Sequence, residues 1–127
     1  MVEEILVEQR EAGLRLVKSL REAGIKIKAA FWSFSTEDQG WKLVIATPSY
    51  DEFGPLITYD RIQKVLEKNP EIENLIRLHD IRATSNKNRV IKELHHKLGS
   101  LKSPLEASVS LTGFSGDLIE DVYVYQL

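Results

Sequence analysis

The chain has 127 residues with 43% hydrophobic and 28% charged side chains, an ordinary globular composition that argues against disorder. It contains no cysteine, which excludes disulfides, thiolate catalysis and cysteine-ligated metal sites. No apolar run approaches the length of a membrane span, and the acidic N-terminus lacks a secretory signal pattern. We expect a single cytoplasmic domain over residues 1–127.

The first elements are predicted to be a helix and a hairpin. Apolar residues recur at helical spacing over residues 3–23, with Gly13 inside the repeat and Gly24 as its stop. Apolar and basic residues then alternate from Ile25 to Lys28, and strands are expected at 25–35 and 41–47. Both strands are apolar on two faces, which predicts a sheet that is covered on both sides.

The middle of the chain predicts a loop, a helix and a short strand. Residues 48–55 contain Pro48, Gly54 and Pro55 and are predicted to be a loop, followed by a helix to about residue 68. A helical turn is expected at 71–76 and a strand at 78–84.

The last third predicts a helix and a second hairpin. Ser85 or Asn86 can cap a helix over 86–98, and alternation predicts strands at 105–114 and 118–126. The element order is then α-β-β-α-β-α-β-β. This order predicts an α+β fold with a mixed, largely antiparallel sheet, two β-hairpins and about three packed helices.

The charge pattern singles out the helix at 86–98. Residues 86–102 carry a net charge of +4, whereas residues 103–127 carry −4, in a chain whose total is −2. The basic helix could bind phosphates of a nucleic acid, or it could be a solvated face opposite an apolar stripe. Its candidate anion-binding residues are Lys87, Arg89, Lys92, His95, His96 and Lys97.

Two spacings in this helix resemble a nuclease motif. Five residues separate Arg89 from His95, and six separate it from His96. Both spacings resemble the Arg-x4–6-His motif of the HEPN ribonucleases. The resemblance covers seven or eight residues and implies metal-free RNA cleavage, with His as acid–base and Arg as phosphate stabiliser. HEPN domains are helical bundles, whereas this chain is predicted to be rich in strands.

Metal binding is the weaker interpretation of the remaining polar candidates. His79, Asp80, His95 and His96 are the possible ligands, but adjacent histidines on a helix point about 100° apart. Carboxylates in the 48–55 loop and near the last hairpin show no accompanying nuclease pattern. The sequence therefore predicts no metal and no cofactor.

Aromatic residues concentrate on the two hairpins and can form either the core or a subunit interface. The candidate interface residues are Trp32, Phe34, Trp41, Tyr123 and Tyr125. Together with the segregated charge and the lack of a catalytic constellation, they predict a non-enzymatic interaction or regulatory domain that acts through protein–protein contacts and self-associates. A nucleic-acid-binding module that uses the 86–102 helix is the alternative, and a small toxin-like ribonuclease is a further one.

Overall fold

The computed structural model describes residues 7–35, 40–85, 87–89, 91–92, 108–109 and 119–126. The elements run in the order α1 (Val7–Glu22), β1 (Ala29–Ser35), β2 (Gly40–Ala46), α2 (Pro48–Glu67), α3 (Pro70–Glu73), β3 (Ile81–Thr84), β4 (Ser108–Val109) and β5 (Ile119–Gln126). Within these ranges, no helix has both the length and the apolar character needed to cross a membrane.

The described strands form one mixed sheet in the order β3-β2-β1-β5-β4. Among them, β2 and β3 pair in parallel, and the other three pairs are antiparallel. Because β2 and β3 are joined through α2, the parallel pair has the helical crossover that such a pair requires. The predicted α+β class, with its mixed and largely antiparallel sheet, is confirmed.

Both faces of the sheet are buried, as the apolar character of its strands predicts. Trp32, Leu43 and Ile81 belong to the cluster that packs against α1 and α2. Phe31 and Val44, which point to the opposite face, are also buried.

α1 lies very close to the sheet at Gly13. A methyl group built on Gly13 would lie 2.9 Å from Nε1 of Trp32 and closer still to the hydroxyl of Tyr125. That hydroxyl accepts a hydrogen bond from Trp32 Nε1 at 2.9 Å and donates one to the carbonyl of Arg10 in α1. Gly13 is therefore required by this close approach, which explains a residue that weakens a helix interior.

α2 begins earlier than predicted and is bent. The expected loop at 48–55 is wrong, because residues from Pro48 onward are helical. Thr47 caps this helix, since its side chain accepts a hydrogen bond from the backbone of Ser49 at 3.2 Å. Gly54 interrupts it with φ 84° and ψ 174°, a conformation open to glycine alone, and Pro55 starts the second part. Residues that are typical of a loop therefore produce a kink here.

Only the second half of the segment predicted as a strand at 78–84 forms a strand. Leu78–Asp80 form a 3-10 turn and Ile81–Thr84 form β3, which is an edge of the sheet. The backbone N–H of Ala83 donates to the hydroxyl of Tyr59 at 3.0 Å, so α2 satisfies one donor of this edge strand.

Within the predicted helix at 86–98, Arg89, Ile91 and Lys92 are helical, whereas Lys87 and Asn88 precede the helix. The hydroxyl of Ser85 accepts from the backbone of Lys87 at 3.0 Å in the preceding turn, and the backbone of Lys92 donates to Asn88 at 3.2 Å, which is the spacing of an α-helix. The remainder of this predicted helix, residues 3–6 of the predicted first helix and most of the predicted second hairpin lie outside the described residues. β4 and β5 do pair antiparallel, as that hairpin predicts.

Candidate functional site

The described part of the basic helix is amphipathic. Lys87, Arg89 and Lys92 are exposed, whereas Ile91 is buried. This arrangement keeps both interpretations of the segment open, because a phosphate-binding face and a solvated face equally require it. His95, His96 and Lys97 lie outside the described residues, and with them the Arg–His pairs that resemble the HEPN motif.

Three of the five aromatic interface candidates lie in the core of this chain. Trp32, Tyr123 and Tyr125 are buried against α1, so they cannot form a surface for a partner without opening the fold. Phe34 and Trp41 are half-buried and pack edge to face, with 5.4 Å between ring centroids. The aromatic pattern of the strands therefore reflects core packing at the first three positions, because α1 covers that side of the sheet.

The exposed His79 pairs with the half-buried Asp80. His79 Nε2 lies 3.3 Å from a carboxylate oxygen of Asp80. In the part of the chain that the structure describes, no three His, Asp or Glu side chains are grouped so as to hold a metal ion.

A cleft lined by cations opens between the end of α1 and the second half of α2. Two adjoining cavities, of about 510 Å³ and about 290 Å³, share Gly24, Ile25 and Arg61. We call this region the cationic cleft and define it by its five basic side chains, which are Lys26, Lys28, Arg61, Lys64 and Lys68.

One wall of the cationic cleft is the end of α1 and the extended segment that follows it. Gly24 has φ 87° and ends α1, and the backbone of Ile25 donates back to Leu20 at 3.0 Å, the hydrogen bond of a Schellman cap. The chain then leaves in extended form with Ile25 and Ile27 buried. Alternation along this segment turns Lys26 and Lys28 to the solvent.

The other wall of the cationic cleft is one face of α2. Arg61, Lys64 and Lys68 are spaced three and four residues apart, which aligns them on the same side of a helix. Arg61 lies over the ring of Phe53, 4.7 Å from its centroid, and its Nη1 is 3.5 Å from the hydroxyl of Ser49. These contacts hold the guanidinium at the junction of the two cavities.

Acidic groups weaken the field in the cationic cleft without cancelling it. Glu22 and Glu52 also line the cavities, and Lys64 pairs with Asp60 at 3.1 Å. That pair is exposed, so it neutralises little of the potential of Lys64 toward a ligand. The five cations still outnumber the two lining carboxylates.

Sequence reasoning does not predict the cationic cleft. Its cations come from segments 1–35 and 61–85, each of which is close to neutral in total. The available signal is positional: the Ile-Lys-Ile-Lys alternation from Ile25, and the helical spacing from Arg61 to Lys68. Neither signal shows that the two segments meet, because that depends on the tertiary packing.

Beside the cationic cleft, the kink of α2 exposes three large apolar side chains. Leu56 is 87% exposed, Ile57 48% and Phe53 46%. We call these three residues the apolar cluster. Most surface apolar residues are scattered singly, so a group within five sequence positions is typical of a contact surface.

Comparison with known proteins adds no identity to this geometry. Neither family models, nor curated proteins, nor solved structures give a match to the chain.

Proposed function

We propose that this chain is a cytoplasmic, non-enzymatic interaction domain that acts through protein–protein contact, and that two copies associate through the apolar cluster. The observation that carries the proposal is the exposure of Phe53, Leu56 and Ile57 at the kink of α2. When a partner covers an exposed apolar side chain, its removal from water contributes favourable hydrophobic free energy.

The free energy available is sufficient for a weak dimer. Complete burial of a Leu, Ile or Phe side chain is worth about 1.5–3 kcal/mol. A two-fold contact uses each of the three residues twice, and Phe53 and Ile57, which are already about half covered, each contribute about half of this value. The cost of restricting translational and rotational freedom consumes much of this gain, so we expect association in the micromolar range or weaker.

The charges around the apolar cluster do not by themselves select the partner. If two copies of α2 meet antiparallel about Leu56, position 51 lies opposite position 61 and position 52 lies opposite position 60. Asp51 of each copy then approaches Arg61 of the other, whereas Glu52 approaches Asp60. The attractive and repulsive pairs offset one another, so burial of the apolar side chains drives the association.

Sedimentation velocity over a range of concentrations tests this proposal. We expect the unmodified chain to show a concentration-dependent dimer, and the pair Leu56→Ser, Ile57→Ser to remain monomeric. A matched control replaces two exposed apolar residues elsewhere, Val7→Ser and Leu75→Ser, and should leave the dimer intact. A strictly monomeric parent chain, or equal weakening of the dimer in both variants, would contradict the proposal.

A second candidate function is nucleic-acid binding by the basic helix, based on the net charge of +4 over residues 86–102 and on the exposure of Lys87 and Lys92. This function predicts an affinity that falls steeply with salt. The slope of log affinity against log salt should decrease by about one unit for each phosphate that a variant no longer neutralises. Lys92→Glu together with Lys97→Glu should abolish RNA or DNA retention on a filter. Unchanged retention in this variant, or no retention by the parent, would eliminate the candidate.

A further inference from the structure

We propose that the cationic cleft is a binding site for a short polyphosphate, either inorganic or carried by a nucleotide. This inference goes beyond the proposed self-association: Phe53 and Arg61 lie at both surfaces, whereas the four lysines belong to the cleft alone. It rests on five basic residues that line two adjoining cavities, three of them from α2 and two from the segment that follows α1.

The arrangement of the cations suits a row of phosphate groups. Arg61, Lys64 and Lys68 lie along one side of α2, and a rise of 1.5 Å per residue spreads them over about 10 Å of the helix axis. Lys26 and Lys28 line the smaller cavity together with Arg61, whereas Lys64 and Lys68 line the larger one. A ligand that spans both cavities therefore meets positive charge from two walls, which a flat basic surface does not provide.

The excess of charge selects the class of anion. Glu22 and Glu52 line the same cavities and repel a negatively charged ligand. Five cations against two carboxylates favour a ligand with several charges over a single carboxylate or phosphate. The chain as a whole has a net charge of −2, which disfavours a long nucleic acid, because distant phosphates would meet an acidic surface.

The size of the cleft fits a small molecule. The larger cavity, of about 510 Å³, falls within the ~300–1,000 Å³ typical of ligand sites. Phe53 lines the smaller cavity with its ring partly exposed and Arg61 stacked on it. A planar group of this kind can carry a nucleobase, so the cleft offers a place for the base of a nucleotide as well as for its phosphates.

Isothermal titration calorimetry with three probes tests the site: ATP, tripolyphosphate and a short single-stranded DNA oligonucleotide. We expect ATP and tripolyphosphate to bind. Tighter binding of ATP would assign the ligand as a nucleotide, and equal binding would assign it as the phosphate chain alone. Either result supports the proposal. Binding of the oligonucleotide alone, or no binding of ATP and tripolyphosphate, would overturn it.

Two variants locate the site. Lys26→Gln with Lys28→Gln, and Lys64→Gln with Lys68→Gln, should each weaken tripolyphosphate binding about tenfold or more, because each removes two charge-assisted hydrogen bonds. The control Lys87→Gln with Lys92→Gln removes two exposed lysines outside the cleft and should bind as the parent does. Equal weakening by all three pairs would show a general charge effect and overturn the assignment. All substituted side chains are exposed, and a melting curve for each variant checks that the fold persists.

Discussion

The two long helices use glycine in opposite ways. In α1, Gly13 has ordinary helical geometry and its value is the missing side chain, which lets Trp32 and Tyr125 reach the helix. In α2, a methyl group built on Gly54 would meet nothing within 4 Å in the described part of the chain apart from its own sequence neighbours, and this glycine is needed for its positive φ. Gly13 allows α1 to pack closely on the core, whereas Gly54 lies at a kink where the apolar cluster is exposed to solvent.

The role of a glycine in an apolar repeat therefore depends on the atoms that surround it and on its backbone conformation. At Gly13 a larger residue destabilises the fold by steric overlap, and at Gly54 it does so by backbone strain. Substitutions at the two positions therefore lower stability for different reasons, which matched control variants can distinguish.

The largest effect is expected for Gly13→Val. The added methyl groups overlap the indole nitrogen of Trp32 and the ring of Tyr125, and overpacking of this kind costs about 3 kcal/mol. Urea unfolding followed by tryptophan fluorescence measures the decrease in stability. Arg15→Val, at an exposed position of the same helix, isolates the lower helix propensity of valine and should cost less than about 1 kcal/mol. Similar decreases in both variants would show that α1 does not press against the sheet at Gly13.

A smaller decrease in stability, of about 2 kcal/mol, is expected for Gly54→Ala. The cause here is a backbone conformation that only glycine adopts readily, because the space around the site is open. The same urea unfolding measures it, and Glu52→Ala serves as a control in the same helix with an expected change below about 0.5 kcal/mol. If Gly54→Ala is neutral, the kink does not need the positive φ and the contrast with Gly13 fails.

The smallest effect concerns the contact between α2 and the edge strand β3. Tyr59→Phe removes the hydroxyl that accepts from the backbone of Ala83, at a cost of about 1 kcal/mol. Hydrogen exchange monitored by NMR should show faster exchange of the Ala83 amide in this variant. Tyr50→Phe, at a half-buried position of α2, should leave that amide unchanged. An unaltered Ala83 rate in Tyr59→Phe would show that water or another group satisfies this edge donor.

Local pattern predicts most of the fold. The helical repeat of α1, the stop at Gly24, the first hairpin and the pairing of β4 with β5 all follow from periodicity and turn residues. These features depend on neighbours in the sequence, so a single chain is sufficient to reveal them.

The errors occur where one local signal supports two structures. Pro48, Gly54 and Pro55 are typical of a loop, yet the same residues start and bend a helix once Thr47 caps it. Alternating aromatic residues suit an interface as well as a core, and Trp32 and Tyr125 are in the core because α1 packs on them.

The candidate sites are less predictable than the fold. The cationic cleft combines cations from the segment after α1 with cations of α2, and no charge count along the chain connects them. The sequence pattern does not predict the apolar cluster either, for a related reason. Leu56 fits an apolar helix stripe in the sequence, whereas in the structure it is 87% exposed just after the kink at Gly54.

The central claim is that the apolar cluster is the contact between two copies of this chain, and cysteine cross-linking tests it most directly. The natural chain has no cysteine, so Leu56→Cys introduces a single thiol. A two-fold contact centred on Leu56 brings the two thiols within disulfide distance, and oxidation should yield a covalent dimer. Val7→Cys provides an equally simple thiol at another exposed apolar position and should stay monomeric. A covalent dimer from Leu56→Cys alone is the predicted result, and monomer from both variants, or equal dimer from both, would contradict the claim.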